Sequence, residues 1–209
     1  MTRDLQVDVK HELITHPIYQ SYLEKCEKHT RDNNSPLLEE NIWPVLTGET
    51  LVGSGKINYR GDSMYMIDDR YLNSENDIEK LGPQDNNRAY TFFHLGHKLS
   101  GHQKIIHGGL LATMLDELTC RLAFQNNPSG SGVTANLNIN YRQPCFVNTY
   151  VLIKCEVSRK VGRKCFVKGY VYKVDLDDES RVVERSENLL TECECLVIEP
   201  KWVKDLKHH

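Results

Sequence analysis

The segment 109–125 has the periodicity of one long helix, and strand-like segments surround it in the sequence. At about 100° per residue its bulky apolar side chains gather on one face: Leu110, Leu111, Met114, Leu115, Leu118 and Leu122. One strand-like segment, 90–95, precedes the helix, and 133–141, 150–159, 165–174 and 189–198 follow it. We expect the four segments after the helix to form an antiparallel meander, with a hairpin about Gly162. The helix should cover the apolar face of that meander.

The rest of the chain is less regular. Residues 1–50 are predicted to be a helical extension in which Pro17 begins a short amphipathic helix. Short strands are expected around 56–59 and 64–67, and the polar segments 70–88 and 96–106 are predicted to be loops. The sequence therefore predicts an extension at 1–50, a domain at 51–199 with its regular core at 89–199, and a tail at 200–209.

Composition excludes several classes of protein. The net charge is -3 and no block of Lys or Arg is present, so we expect no nucleic-acid partner. No apolar run reaches the roughly 18 residues of a membrane span. Seven cysteines without a Cys-x-x-Cys pair favour a reducing, intracellular setting. Cysteine and histidine spacings suit no metal ligand set, so no metal or cofactor is predicted: Cys193, Cys195, His94, His97, His102 and His107.

Asp116 is the acidic residue that most needs an explanation. It falls opposite the leucine face, among small residues: Ala112, Thr113, Thr119, Cys120 and Ala123. A carboxylate buried without a partner costs several kcal/mol, so this position indicates either a wet helix face or a functional group. Glu117 and Arg121 lie between the two faces at the i,i+4 spacing of an ion pair.

Two further patterns flank this carboxylate. His107-Gly108-Gly109 directly precedes the helix, where unpaired N–H groups and the helix dipole favour an oxyanion or phosphate. In the strand 133–141, alternation places Thr134 on the same face as three asparagines, which are poor strand formers: Asn136, Asn138 and Asn140. We therefore expect a ligand or a dimer partner on that face.

Taken together, these motifs resemble the hotdog-fold acyl-CoA thioesterases. The resemblance rests on His107-Gly108-Gly109 with Asp116 downstream, on 134–141, and on Val161-Gly162-Arg163-Lys164, and it covers residues 89–199. The nearest branches are the phenylacetyl-CoA thioesterase type and the thioesterase-superfamily-member type, the latter acting on long-chain acyl-CoA. The resemblance implies an α+β hotdog fold, an antiparallel sheet wrapped around one central helix. It also implies a homodimer, or a dimer of dimers, with active sites at the subunit interface.

The same resemblance assigns catalytic roles. Asp116 is expected to act as general base or as nucleophile toward the thioester, and the amide of Gly108, or of Gly109, is expected to stabilise the oxyanion. His107 would position the substrate or shape its loop, and Thr134 would orient the water or Asp116. Glu117 is a departure, since many relatives have a small or apolar residue there, and it is a second candidate for the base.

Substrate-binding candidates are Gly109, Asn136, Arg163 and Lys164, the last two for the phosphates of coenzyme A. The expected activity is hydrolysis of medium- to long-chain acyl-CoA to free acid and CoA. The alternative is a non-catalytic acyl-CoA-binding regulatory protein of the same fold. A hotdog dehydratase is disfavoured because the helix offers no histidine. The resemblance suggests mitochondrial residence, with the cytoplasm as the alternative; the acidic N-terminus suits neither a signal peptide nor an Arg-rich transit peptide.

Overall fold

The computed structural model describes residues 2–27, 45–67, 87–178 and 182–202. Helices α1 (Thr2–Thr15) and α2 (Pro17–Glu27) open the chain, and a π-helical turn spans Leu46–Thr50. Strands β1 (Ile57–Arg60), β2 (Met64–Met66), β3 (Arg88–Leu95), β4 (Ser100–His102) and β5 (Ile105–Ile106) precede helix α3 (Gly108–Phe124). Strands β6 (Val133–Tyr141), β7 (Thr149–Val161), β8 (Lys164–Val174) and β9 (Leu189–Ile198) follow it.

Some predicted segments fall elsewhere. Most of the expected loop at 70–88, part of the extension at 28–44, and the tail from 203 lie outside the described residues. The expected loop at 96–106 is structured instead: it holds a 3-10 turn at His97–Leu99 and the small β4–β5 pair.

The main sheet is antiparallel and has the order β1-β3-β7-β8-β9-β6, with β2 also paired to β3. The predicted meander is confirmed for β7, β8 and β9 but is wrong for β6, which pairs with β9 at the edge of the sheet. The reason is that the segment after β6 forms backbone hydrogen bonds with residues 104–106 and does not form a tight hairpin. Ile106 N–H donates to the Cys145 carbonyl and Val147 N–H donates to the Lys104 carbonyl. The chain therefore returns to the centre of the sheet, where β7 pairs with β3.

Helix α3 fills the concave face of the sheet, as expected, and its predicted leucine face is buried there. Thr119 and Ala123, which were expected beside Asp116 on the opposite face, are buried as well. Gly169 on β8 explains this close approach, because a Cβ there would lie 2.8 Å from Leu115 Cδ2 and 3.1 Å from Thr119 Cγ2. The small residues of α3 thus serve helix-to-sheet packing as well as the site.

The opposite face of the sheet carries a second core beneath α2 and the end of α1. Tyr22 packs against Tyr90 and Phe92, with ring centroids 5.0 and 5.5 Å apart. Leu13 and Ile18 are buried in the same cluster. Polar groups anchor the helices, since Tyr22 donates to Glu184 and the Tyr150 hydroxyl donates to the Val9 carbonyl. The N-terminal helices therefore cover part of the convex face.

A β-bulge in β6 changes which side chains face the helix. The pairing with β9 shifts between Thr134 and Asn136, so that Thr134 lies opposite Val197 and Leu137 lies opposite Cys195. Both partners are fully buried on the helix side. The expectation that Thr134 shares a face with the asparagines is wrong, because the extra residue Ala135 turns Thr134 toward α3. This shift brings Thr134 within reach of Asp116.

Candidate active site

The centre of the site is a hydrogen bond between the helix and the edge strand. Thr134 Oγ1 donates to Asp116 Oδ1 at 2.6 Å. Asp116 is half-buried in the middle of α3, while Thr134 is exposed on β6. The carboxylate therefore keeps access to solvent along the β6 edge and has one oxygen fixed by the hydroxyl.

A thiol completes this cluster. Cys120 lies one helical turn after Asp116, and its Sγ is 3.0 Å from Thr134 Oγ1. The pKa of the Cys120 thiol is raised, first by a hydrogen bond with Cys195 and then by burial. The helical periodicity of the sequence places Cys120 near Asp116 but indicates no role for it. The i,i+4 spacing of the two residues was the available signal.

The start of α3 forms a separate part of the site. His107 is the N-cap, and its Nδ1 accepts a hydrogen bond of 2.9 Å from Gly109 N–H. The Gly108 carbonyl accepts a bond of 2.9 Å from the Tyr141 hydroxyl. Within the described part of the chain, the Gly108 N–H donates to no group. Of the two glycine amides expected to bind an oxyanion, Gly109 is therefore committed to the cap and Gly108 is available.

The packing around Gly108 depends on the absence of a side chain at this position. A Cβ at this position would lie 3.2 Å from the ring of Tyr141. Glycine thus lets β6 and the helix start approach closely, so that the Tyr141 hydroxyl reaches the Gly108 carbonyl.

Glu117 turns away from this cluster. Its Oε2 accepts a hydrogen bond from the hydroxyl of Thr47, a buried residue in the π-helical turn. Burial raises the pKa of Glu117, whereas the Thr47 bond and the charges of Arg121 and Arg60 lower it less strongly. Asp116 faces β6 and Glu117 faces the segment 46–50, so the geometry favours Asp116 as the base.

The remaining candidates lie at some distance from Asp116. Asn136 is exposed and pairs with Leu196 on the convex face. Asn138 and Asn140 line a polar hollow of about 200 Å³ on that face, with Lys168, Tyr170, Glu192, Cys193 and Glu194. The structure therefore does not bring the asparagine row to the carboxylate.

The basic turn lies at the end of the β7–β8 hairpin. Gly162 has a φ of 53° there, a conformation that glycine adopts without strain. Arg163 Nη1 donates to the Glu199 carbonyl at 2.9 Å, and Lys164 is exposed. Lys164 and Val133 both pair with Ile198, so this turn lies at the end of the sheet where β6 begins.

Two further features, a cluster of metal-ligating side chains and a membrane-spanning helix, are absent from the described ranges. Within 2–27, 45–67, 87–178 and 182–202, no three His, Cys, Asp or Glu side chains are grouped as a metal site would require. None of the helices in those ranges combines the length and hydropathy of a membrane-spanning segment.

The part of the chain that holds this site is similar to a known protein family. Residues 103–179 match the family model of the Thioesterase superfamily. This match includes the His107-Gly108-Gly109 motif, Asp116, Thr134 and the basic turn. The segment 103–179 thus resembles a Thioesterase superfamily domain, and the antiparallel sheet around one long helix is a hotdog fold.

Several curated proteins are similar over part of their length. A Candida albicans protein named "Uncharacterized protein, mitochondrial" is 33% identical over 121 residues, covering 58% of this chain and 52% of that protein. The Saccharomyces cerevisiae MIOREX complex component 3 is 32% identical over 132 residues, covering 56% and 49%. The Bos taurus acyl-coenzyme A thioesterase THEM4 is 35% identical over 91 residues, covering 44% and 36%. The chain spans about half the length, or less, of these relatives.

Proposed function

We propose that this protein hydrolyses medium- to long-chain acyl-CoA thioesters to free acid and CoA, with Asp116 as the catalytic carboxylate. The observation that carries the proposal is the 2.6 Å bond from Thr134 to a half-buried Asp116. Its setting in a Thioesterase superfamily domain and the similarity to a bovine acyl-coenzyme A thioesterase support the choice of substrate.

In the general-base route, Asp116 takes a proton from water while the hydroxide adds to the thioester carbonyl carbon. The resulting oxyanion accepts a hydrogen bond from the Gly108 amide, and the carbon–sulfur bond then breaks. The CoA thiolate receives the proton and leaves. Such an amide donor contributes roughly 10²–10³ in rate in other acyl-transfer enzymes.

The separation of Asp116 from Gly108 supports a site shared by two copies of the chain. Eight residues of α-helix rise about 12 Å, whereas an oxyanion donor lies about 3 Å from the oxygen it stabilises. One thioester therefore cannot engage both groups of the same chain. We propose that Asp116 of one copy acts with Gly108 of a second copy, in a homodimer or a dimer of dimers. The exposed edge strand β6, with Val133 and Tyr141 exposed on it, is suited to such pairing.

Subunit mixing tests this arrangement. Asp116→Asn and Gly108→Ala variants are each inactive or nearly so, and in a mixed dimer one of the two sites has both native groups. Random mixing in equal amounts should restore about a quarter of wild-type activity. No recovery, despite exchange of subunits, would contradict a shared site.

We further propose that Arg163 and Lys164 bind the phosphates of coenzyme A, because both are exposed cations on a fixed turn. His107 holds the loop at the helix start through its bond with Gly109. Gly109 and Asn136 remain candidates for contacts with the substrate, and Glu117 is the alternative base.

The decisive experiment is a thiol-release assay across acyl-CoA chain lengths. Wild type should turn over at least one chain length, and Asp116→Asn should lower kcat by about 10²–10⁴. Glu117→Gln is the matched control, because it removes the neighbouring carboxylate. Full activity in Asp116→Asn would refute the assignment, and saturable acyl-CoA binding without any turnover would favour a regulatory acyl-CoA-binding protein.

Isotopic labelling of the solvent oxygen distinguishes general-base catalysis by Asp116 from nucleophilic catalysis by Asp116. A single turnover in ¹⁸O-labelled water places the label directly in the released acid if Asp116 is a general base. If Asp116 is the nucleophile, an acyl–enzyme anhydride forms and hydrolysis at the Asp116 carbonyl transfers an unlabelled Asp116 oxygen to the acid.

The name of the Candida relative leads us to propose a mitochondrial location rather than a cytoplasmic one. Fractionation of cells that express the full-length protein tests this, and recovery outside mitochondria would contradict it.

A further inference from the structure

The hydrogen bonds around Thr134 have a defined direction. A threonine hydroxyl has one proton, and in its bond with Asp116 that hydroxyl is the donor. The proton of Thr134 is therefore committed to Asp116 Oδ1, 2.6 Å away. The contact of 3.0 Å between Cys120 Sγ and Thr134 Oγ1 is then a bond in which the thiol donates.

Cys120 is well placed for this donation. It lies four residues after Asp116, so both side chains project from the same side of α3 toward β6. The pKa of Cys120 is raised, first by its hydrogen bond with Cys195 and then by burial, and these outweigh the lowering by the hydrogen bond with Thr134, so the thiol is protonated at neutral pH. A protonated thiol is what the donor direction requires.

Thr134 needs such a restraint because it is exposed on an edge strand, next to the β-bulge. A threonine side chain there has more than one accessible χ1 rotamer, and only some of them direct the hydroxyl at the carboxylate. A second bond to Thr134 Oγ1 from α3 selects the rotamer that reaches Asp116.

We propose that Cys120 is a positioning residue for thioester hydrolysis: its thiol donates to Thr134 Oγ1 and holds that hydroxyl against Asp116. This inference rests on the proposed function. Cys120 does not touch the substrate in this scheme and acts only through Thr134.

The test compares kcat and KM of Cys120→Ala, Cys120→Ser, Thr134→Ala and the double variant Cys120→Ala/Thr134→Ala. Loss of one such hydrogen bond corresponds to a fall in kcat of about tenfold in Cys120→Ala, with KM within about twofold of wild type. Cys120→Ser keeps a donor and should restore most of kcat. Once Thr134 is alanine, Cys120→Ala should lower kcat no further.

Cys26→Ala is the control, since Cys26 is a buried thiol in the core beneath α2, on the other side of the sheet. It should keep the wild-type kcat. Wild-type kcat in Cys120→Ala, or the same loss with and without the Thr134 hydroxyl, would overturn the proposal.

Thermal unfolding separates this proposal from the proposed function. If wild type hydrolyses no acyl-CoA, the proposed function fails, but the bond between Cys120 and Thr134 is still measurable. The losses in Tm of the two single variants should then sum to more than the loss of the double variant. Additive losses would show that the two side chains are uncoupled and would overturn the inference.

Discussion

Thr134 and Asp116 lie on different elements and eighteen residues apart, yet a hydrogen bond of 2.6 Å joins them. The bond connects an edge strand to the central helix at the point where the helix side chains reach solvent. It fixes one oxygen of the carboxylate beside the edge strand.

Removal of the Thr134 hydroxyl should lower turnover while the fold is kept. We expect kcat of Thr134→Ala to fall by about 10- to 100-fold, because a hydrogen bond to a charged group contributes about 1.5–3 kcal/mol. The thiol-release assay measures this, and circular dichroism checks the fold. Asn138→Ala is the control, since Asn138 lies on the same strand but faces the convex side. Unchanged turnover would reduce Thr134 to a structural residue.

Gly108→Ala should impair catalysis by displacing the helix start. The added Cβ would lie 3.2 Å from the Tyr141 ring, so either the ring or the Gly108 amide must move. We expect kcat to fall by about 10²- to 10³-fold, given the value of a placed amide donor. Tyr141→Phe keeps the ring and removes only the hydroxyl bond, so it separates the two effects. Wild-type kcat in Gly108→Ala would contradict the oxyanion role.

Glu117→Gln should stabilise the protein at neutral pH. Burial raises the pKa of Glu117, so its ionisation opposes folding once the pH rises above the pKa of an unfolded glutamate. The glutamine can still accept the Thr47 hydrogen bond. We expect the gain in unfolding free energy to grow with pH up to the folded pKa and to vanish in acid. Urea unfolding across pH measures it, with the exposed Glu194→Gln as the control.

Glu184→Gln should destabilise the contact between α2 and the sheet. Burial alone would raise the pKa of Glu184, but the hydrogen bond and charge of Lys154, 2.8 Å away, outweigh it and lower the pKa. The pair is partly buried, so we expect a loss of about 1–3 kcal/mol at pH 7, between the values for exposed and buried pairs.

The sign of the pH dependence follows from that lowered pKa. The stabilisation by Glu184 is present above the pKa of an unfolded glutamate and is lost as the pH falls through the folded pKa. The difference in unfolding free energy between wild type and Glu184→Gln should therefore shrink in acid. A constant difference from pH 7 to about pH 3 would assign the effect to packing instead.

Local patterns predicted the main elements, because α3 and β7–β9 each follow one periodicity throughout. Leu189–Ile198, for example, forms the strand that its sequence indicates. Two features escaped prediction because they depend on contacts between distant segments. The edge position of β6 is fixed by bonds from the segment after it to residues 104–106, and the direction of Thr134 is fixed by a bulge.

The candidate site was also predicted only in part, because some of its contacts join distant segments. The sequence identified Asp116 from its place on the helix and Gly108 from the motif that precedes the helix, and the family resemblance supplied their expected roles. It could not assign the Gly109 amide to His107 Nδ1 or the Glu117 carboxylate to Thr47, which are side-chain contacts that periodicity does not encode. The role that we propose for Cys120 appears only when β6 is placed beside α3.

Strand β3 buries apolar side chains on both faces. Ala89, Phe93 and Leu95 belong to the core that contains α3, whereas Tyr90 and Phe92 pack against Tyr22 of α2. A shortened chain that began near residue 51 would leave those two rings and Leu152 in contact with water. Such a patch would promote aggregation. We therefore expect a fragment prepared without the N-terminal helices to aggregate, for reasons unrelated to its chemistry.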